Sequence, residues 1–175
     1  MRIISGKYKG KKLLGDNIKG TRPTMDRIKE SLFGMIQNKI NNSTCLDLFA
    51  GSGSLGLEAI SNGASTCYFV DNNKIVIDVL NKNLNEVENA TIINSDYSKA
   101  LFMFKEKNIK FDIIFLDPPY KYGLINPAIE KIVEYDLLSH DGIIVCEYEE
   151  EEIYCDLEII KEKKYGSKNI RIYQN

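Results

Sequence analysis

A short apolar run that breaks at closely spaced glycines constrains this chain more than any other stretch of its 175 residues. The run Cys45 to Phe49 has the length of a buried strand. A segment with helical periodicity, Leu55 to Ile60, follows the glycines, with Ser54 as its expected N-cap. Glycine permits positive φ and close approach to a ligand, and the first turn of a helix offers unpaired N–H groups. The stretch therefore predicts a strand, a tight turn and a helix that together bind a group carrying ribose or phosphate.

The spacing of these glycines is that of a dinucleotide-binding turn. Gly51, Gly53 and Gly56 match G-x-G-x-x-G, and Asp71 ends the next apolar run about 20 residues further on. An acidic side chain at that place accepts hydrogen bonds from ribose hydroxyls, although Asp71 could also cap the following helix. The same spacing fits a nicotinamide-dependent dehydrogenase, so the motif alone leaves the ligand open.

After the glycines, apolar runs of strand length alternate with segments of helical periodicity. Strands are predicted at residues 66–71, 91–94, 112–117 and 142–147, and helices at 74–87, 98–105 and 125–135. The last of these helices is expected to bury Ile125, Ile129, Ile132 and Val133. Nearly continuous apolar strands are typical of sheets covered by helices on both faces. The order predicts an α/β fold with an open, doubly wound, mostly parallel Rossmann-like sheet, closed by an antiparallel pair at 157–164 and 169–173.

The amino-terminal part is strongly basic. Residues 1–29 carry nine lysines and arginines against two aspartates, while the whole chain has a net charge of −2. Residues 2–14 are predicted to form a two-stranded basic hairpin. A helix opened by Pro23 and Thr24 follows, with Arg27 and Lys29 on its polar side. We expect one structural domain, in which residues 1–40 pack on a catalytic part formed by residues 41–175, and a surface that binds a polyanion.

Composition excludes several classes of protein. No apolar run approaches the roughly 18 residues that a membrane helix needs, and the start of the chain lacks the apolar core of a signal peptide. The four cysteines are scattered without C-x-x-C spacing, so we interpret them as reduced thiols rather than metal ligands. We therefore expect a cytoplasmic protein without a metal ion.

Acidic residues come at or directly after the ends of the predicted strands. Asp71 ends the second strand, Asp96 follows the third and Asp117 ends the fourth. Ligands of open α/β sheets bind at the carboxyl ends of the strands, so these side chains are expected to share one crevice. Asp96 would meet an adenine amino group there, unless it is an ordinary turn residue. Asp47 lies inside the first strand, where it is expected to support the glycine loop by accepting hydrogen bonds from backbone amides.

The sequence Asp117-Pro118-Pro119-Tyr120 indicates the chemistry. Two prolines directly after a buried strand form a stiff turn. The Asp117 carboxylate and the Pro118 carbonyl can each accept one N–H of an exocyclic amine, which draws that nitrogen toward tetrahedral geometry and frees its lone pair. Tyr120 offers an aromatic face on which the base can stack. The motif therefore predicts methylation of a base amino group by positioning and electrostatic stabilisation.

Together, FAGSGSLG, Asp71 and DPPY resemble the class I S-adenosylmethionine-dependent methyltransferases of the (D/N)-P-P-(Y/F) group. Three further stretches are similar to the bacterial RsmD-type 16S rRNA (guanine-N2)-methyltransferases: RIISGKYKGKKL, TRPTMDRIKESLF and the final KKYGSKNIRIY. The resemblance implies a seven-stranded sheet whose last strand is antiparallel, and methyl transfer to one guanine of small-subunit rRNA. It also implies S-adenosyl-L-methionine bound by Phe49, Gly51, Ser52, Gly53 and Asp71, with Thr21, Arg22 and Thr24 as further candidate contacts.

The expected partner is 16S rRNA or the assembling small ribosomal subunit, bound by a monomer. The target base must swing out of its surroundings to reach Asp117. Phosphates would be held by a basic set consisting of Lys7, Lys9, Lys11, Lys12 and Arg27. Three alternatives stay open. They are a nicotinamide-dependent dehydrogenase, an RNA-binding adaptor without activity, and an enzyme that methylates an adenine amino group in DNA or RNA.

Overall fold

The computed structural model describes residues 1–15 and 22–175, except for the side chains of residues 22–24. The helices are α1 (Arg22–Ile40), α2 (Ser54–Ser61), α3 (Lys74–Asn83), α4 (Tyr97–Glu106) and α5 (Ile125–Glu134). The strands are β1 (Thr44–Asp47), β2 (Thr66–Asp71), β3 (Ala90–Asn94), β4 (Phe111–Leu116), β5 (Leu138–Tyr148), β6 (Glu158–Tyr165) and β7 (Lys168–Gln174). In the described part of the chain, no helix has the length and apolar character to cross a membrane.

The seven strands form one sheet in the order β3-β2-β1-β4-β5-β7-β6. Strands β1 to β5 are parallel, and β7 is antiparallel to both of its neighbours. The predicted doubly wound sheet and its antiparallel strand pair are therefore confirmed. The strand order reverses between β1 and β4, the place where open α/β sheets bind their ligands.

Helices cover both faces of the sheet. Successive residues of β4 enter two different apolar clusters. Ile113 and Phe115 pack with α1, α2 and α3, whereas Ile114 and Leu116 pack with α4 and α5. The rings of Phe33 and Phe115 lie 5.8 Å apart and join α1 to the first of these clusters. Burial on both faces explains why the strands are continuous apolar runs.

The amino-terminal segment forms the predicted hairpin only in part. In residues 1–15, one isolated antiparallel bridge, between Arg2 and Lys12, is all that forms of the expected two strands. Turns occupy the residues between them, and the Gly10 N–H donates to the Ile3 carbonyl oxygen at 2.8 Å. Backbone hydrogen bonds join the two arms at the ends of the segment. The segment is also held by α2, since the Glu58 carboxylate accepts hydrogen bonds from the amides of Ile4 and Ser5.

Two predictions about helix faces were wrong. Lys29 is 5% exposed and does not lie on the solvent side of α1, because its ammonium pairs with the buried Glu58 carboxylate at 3.0 Å. Val133 was expected inside but is 51% exposed, whereas Ile125, Ile129 and Ile132 on the same helix are buried. Helical periodicity identifies a buried face approximately, and it cannot detect a distant acidic partner for a lysine.

Candidate active site

The carboxyl ends of the central strands open into a cleft of about 990 Å³. It brings together nine of the residues predicted to bind the cofactor or the target base: Phe49, Gly51, Ser52, Asp71, Asp96, Asp117, Pro118, Pro119 and Tyr120. The structure therefore places the glycine turn, the acidic strand ends and the Asp-Pro-Pro-Tyr turn around one space. This is the geometry that the strand-end argument predicted.

The glycine turn depends on its glycines for two different reasons. Gly51 and Gly53 have positive φ of 52° and 80°. A Cβ at Gly51 would meet open space, so the backbone there can be approached by a ligand, whereas one at Gly53 would lie 2.9 Å from Leu80. Gly53 is outside the cleft lining and is the N-cap of α2. The predicted N-cap, Ser54, is the first helical residue, and its hydroxyl accepts a hydrogen bond from Lys29 instead.

Gly56 and Asp47 fix the start of α2 on the sheet. A Cβ at Gly56 would lie 2.3 Å from a ring carbon of Phe69, so only glycine allows this close packing. The Gly56 N–H donates to Asp47 Oδ2 at 2.9 Å, which confirms the predicted supporting role of Asp47. Burial raises the pKa of Asp47 to about 7, and the hydrogen bond from Gly56 opposes this shift.

Asp71 joins the glycine turn to the end of β2. Its Oδ2 accepts from the Gly51 amide at 3.2 Å and its Oδ1 from the Asn73 amide at 2.9 Å. The alternative prediction, that Asp71 caps the next helix, is wrong, because Asn73 is the N-cap of α3 and accepts from the Ile75 amide. The Asp71 carboxylate thus stands on the cleft wall beside the turn, where its remaining lone pairs can accept from a ligand.

Asp96 and Phe49 form the adjacent wall. Asp96 is the N-cap of α4, and its Oδ1 accepts from the amides of Ser98 and Lys99 at 2.9 and 3.4 Å. Asp96 therefore has a structural role as a helix N-cap and is not an ordinary turn residue, and its contact with an adenine amino group stays a prediction. The ring of Phe49 packs against Tyr97 at 5.5 Å between centroids, which gives this wall an aromatic surface.

The Asp-Pro-Pro-Tyr turn leaves β4 directly after Leu116. Pro118 is buried and Pro119 exposed, and Tyr120 begins a short 3₁₀ helix that ends at Tyr122. Burial raises the pKa of Asp117 well above its ordinary value. The Glu147 carboxylate raises the pKa further, and the Lys168 ammonium lowers it. Asp117 is therefore a carboxylate whose charge depends on two neighbours outside its own motif.

The sequence did not point to either of these two neighbours, Glu147 and Lys168, as part of the site. Glu147 Oε1 accepts from the Tyr120 hydroxyl at 2.9 Å and lies 2.5 Å from Lys168 Nζ. The Lys168 ammonium lies 5.4 Å from the centre of the Tyr120 ring. Glu147 ends the apolar run of β5. It could have been found by looking for polar residues at the carboxyl end of the fifth strand, as was done for the other strands. Lys168 follows a short turn and carried no comparable signal.

Part of the predicted RNA-binding set lies on a second surface beside the cleft. Lys7, Lys9, Lys12 and Arg27 are exposed and Lys11 is half-buried. Lys9, Lys12 and Arg27 line a groove of about 830 Å³ between the amino-terminal segment and α1. Met1 lines both this groove and the cleft, so the two surfaces adjoin.

The structure does not describe the side chains of three candidate cofactor contacts. Thr21 lies outside the described residues, as do the side chains of Arg22 and Thr24. The backbone of α1 begins at Arg22, so Thr24 lies in its first turn. Residues 1–15 and 25–175 contain no group of three or more His, Cys, Asp or Glu side chains arranged to hold a metal ion.

Comparison with known proteins agrees with this site. A family model described as "Conserved hypothetical protein 95" matches residues 1–174. The ribosomal RNA small subunit methyltransferase D of Haemophilus influenzae is 40% identical over 183 residues, which covers 100% of this chain and 94% of that protein. The Escherichia coli protein of the same name is 34% identical over 180 residues, covering 99% and 89%. This chain belongs to the RsmD family of methyltransferases.

Solved structures of the family share the fold over the whole chain. The Escherichia coli protein yhhF superposes with a TM-score of 0.85 at 32% identity, covering 100% of this chain and 97% of its own. A Haemophilus influenzae protein described as a methylase gives a TM-score of 0.80 at 36% identity, with coverage of 100% and 98%. The resemblance drawn from FAGSGSLG, Asp71 and DPPY, and the methyltransferase fold it implied, are confirmed.

Proposed function

We propose that this RsmD-family enzyme transfers a methyl group to the exocyclic 2-amino group of one guanine in small-subunit rRNA. Both curated relatives reported above carry the name of a small-subunit rRNA methyltransferase. The cofactor is S-adenosyl-L-methionine, whose sulfonium supplies an activated methyl group. The observation that carries the proposal is the position of Asp117 and Pro118, which face the same cleft as the glycine turn and Asp71.

The residues of the cleft fit such a cofactor. The carboxylate of Asp71 can accept hydrogen bonds from ribose hydroxyls, and Asp96 can accept from an adenine amino group. The open space at Gly51 allows the backbone to lie against the cofactor. The aromatic wall of Phe49 and Tyr97 offers an apolar surface for a planar ring.

On the other side of the cleft, Asp117 and Pro118 orient the amine. Their oxygens would accept its two N–H groups, so that the nitrogen lone pair is free to take the methyl group. When the amine takes the methyl group from the sulfonium, which would leave as a neutral thioether, positive charge would develop on nitrogen, and the Asp117 carboxylate would stabilise it. The surplus proton then leaves through Asp117 to water. Tyr120 holds the base by stacking, and its own position is fixed by the hydrogen bond to Glu147.

The basic groove beside the cleft would bind the RNA backbone. Lysine and arginine contacts to phosphates position a nucleic acid without reading its sequence. The groove adjoins the cleft, so RNA held there could present an extruded base to Asp117. The carboxylates of Asp26 and Glu30 also line the groove, so the positive charge is concentrated on the amino-terminal segment and Arg27.

The test is transfer of a radiolabelled methyl group from S-adenosylmethionine to purified small-subunit rRNA and to assembled small subunits, followed by nucleoside analysis. We expect label in N2-methylguanosine. Label in N6-methyladenosine would support the adenine alternative instead, and no incorporation into either substrate would refute the proposal. The matched control is Asp117→Ala, which should lose at least about 100-fold in rate, as expected for loss of a transition-state acceptor, while binding S-adenosylhomocysteine within a few-fold of wild type.

A further inference from the structure

We propose that Glu147 and Lys168 recognise the Watson–Crick edge of the target base and make the enzyme select guanine over adenine-like bases. This inference rests on the proposed function and adds residues outside the Asp-Pro-Pro-Tyr turn. It gives a role to a charged pair that the chemistry of methyl transfer does not use. Lys168 of this pair lines the cleft, and Glu147 lines a small pocket that adjoins it.

Sheet topology sets Asp117, Glu147 and Lys168 side by side. They belong to the ends of β4, β5 and β7, which are consecutive in the sheet. Leu116 pairs with Cys146, so the next residues, Asp117 and Glu147, are neighbours. Glu147 pairs with Ile170, two residues after Lys168, so both side chains point to one face. The edge of the sheet therefore presents a carboxylate, a carboxylate and an ammonium in that order.

The two added groups have bonding capacity left for a ligand. Glu147 Oε1 takes the hydrogen bonds from Tyr120 and Lys168, and within the described part of the chain no donor bonds to its Oε2. An ammonium carries three donors, and one of those on Lys168 serves Glu147. The side chains of Lys168 and Glu147 are 26% and 12% exposed. Together with Asp117 they line a pocket of about 60 Å³ that adjoins the cleft.

This order of groups is complementary to guanine. Guanine presents the 2-amino donor, the N1–H donor and the O6 acceptor along one edge, and cytosine pairs with it through an acceptor, an acceptor and a donor. Asp117 can accept from the 2-amino group, Glu147 from N1–H, and Lys168 can donate to O6. An extruded base is read through hydrogen bonds of this kind. Adenine has no N1–H and carries an amino group in place of O6, so it would set an acceptor against Glu147 and a donor against Lys168.

A purely structural role makes a different prediction. If the pair only holds Tyr120 in place, its removal slows transfer to every base equally. The two roles are separated by 2,6-diaminopurine, which keeps the reacting 2-amino group but has no hydrogen on N1 and an amino group in place of O6. A site that hydrogen-bonds the missing groups rejects such an analogue strongly.

The experiment uses the full chain and rRNA in which the nucleotide mapped by the methyl-transfer assay is guanosine or 2,6-diaminopurine ribonucleoside. The measured quantity is kcat/KM for transfer to the 2-amino group. Wild type should prefer guanosine by about 10- to 100-fold, as expected from paired hydrogen bonds to a base edge. In Lys168→Met and Glu147→Gln the preference should fall to within about threefold, mainly through slower reaction of guanosine.

The matched control is Arg171→Met. Arg171 lies on the same strand and pairs with Glu162 at the same 2.5 Å distance, but neither residue lines the cleft or the adjoining pocket. This variant should keep the wild-type preference, and calorimetry with S-adenosylhomocysteine checks that every variant is folded. An unchanged preference in Lys168→Met and Glu147→Gln, or an equal loss on both substrates, would overturn the inference. Absence of transfer by wild type would instead be a failure of the proposed function.

Discussion

The ammonium of Lys29 lies 3.0 Å from the carboxylate of Glu58, with both side chains almost completely buried. Lys29 also donates to the Arg2 carbonyl oxygen at 2.6 Å and to the Ser54 hydroxyl at 2.9 Å. One cation therefore connects α1, α2 and the amino-terminal segment immediately behind the glycine turn. A buried pair of this kind does not add stability in proportion to its charge, but loss of one partner is costly because the other charge is then left uncompensated.

We expect Lys29→Met to lower the free energy of unfolding by about 3–5 kcal/mol, because Glu58 is then a buried carboxylate without a cation. Urea denaturation followed by circular dichroism measures this change. Lys110→Met is the matched control, since Lys110 pairs with Asp136 at 2.5 Å on the surface, with side chains 50% and 75% exposed. That substitution should cost at most about 1 kcal/mol. Equal losses in the two variants would contradict the structural role assigned to Lys29.

The outcome for Lys29 shows where sequence reasoning stops. Periodicity found α1 and most of its buried face, but it assigned Lys29 to solvent because lysine is seldom buried without a partner. The partner, Glu58, lies on another helix, and nothing in the local pattern of either residue indicates the contact. The amino-terminal hairpin forms with less regular strand structure than predicted for a related reason, since the amides of Ile4 and Ser5 bond to Glu58 and not across the hairpin.

The site itself was more predictable than these contacts. In a parallel sheet the carboxyl ends of strands meet at one edge, so Asp71, Asp96 and Asp117 could be placed together from their positions after apolar runs. Glu147 obeys the same rule. Lys168 could not be placed, because its strand is antiparallel to the others. It lies at the start of that strand, and the start of an antiparallel strand is at the same edge as the carboxyl ends of the parallel strands. The rule that site residues follow the carboxyl ends of strands therefore finds residues on parallel strands and misses those on an antiparallel strand.

For Asp71→Ala we expect weaker cofactor binding, with a dissociation constant for S-adenosylhomocysteine raised by about 10- to 100-fold, as for the loss of hydrogen bonds to a charged group. Part of this effect would come from the Gly51 amide, which loses its acceptor. Isothermal titration calorimetry measures it. Asp78→Ala, at an exposed position of α3, is the control and should bind normally. An unchanged constant in Asp71→Ala would remove Asp71 from the cofactor site.

Replacement of Lys7, Lys9, Lys11 and Lys12 by alanine should weaken RNA binding and flatten its dependence on salt, because fewer counterions are released from the RNA. The slope of log K against log salt concentration is the measurement. A control with the same change of charge replaces Lys105, Lys107, Lys110 and Lys131, which lie at the end of α4, in the turn before β4 and on α5, outside the cleft and the groove. If both variants show the wild-type slope, the amino-terminal segment does not contact phosphate.

The rate of methyl transfer should rise with pH through the raised pKa of Asp117. Only the ionised carboxylate can both accept the hydrogen bond from the amine and stabilise the positive charge that develops on its nitrogen. Lys168→Met removes the cation that lowers this pKa, so the rising limb should move to higher pH. Glu147→Gln removes the anion that raises it, so the limb should move to lower pH. Single-turnover rates across pH measure both shifts, and Arg171→Met should leave the limb in place. Shifts in the same direction for the two variants would exclude Asp117 as the titrating group.

Asp47 makes a separate prediction about stability. Its folded pKa is about 7, against about 3.9 in an unfolded chain, so between these values the folded protein binds more protons at this site. The free energy of unfolding should therefore fall as pH rises from about 4 to 7.

In Asp47→Asn the amide oxygen can still accept from the Gly56 N–H, but no charge forms in the interior, so this contribution to the pH dependence disappears. The stability difference between Asp47→Asn and wild type, measured by urea denaturation, should grow in favour of the variant with rising pH. The slope that remains would come in part from Asp117, whose pKa is also raised by burial. Asp78→Asn, at an exposed site, should follow the wild-type curve. A constant difference between Asp47→Asn and wild type across this range would mean that Asp47 stays ionised beneath the glycine turn.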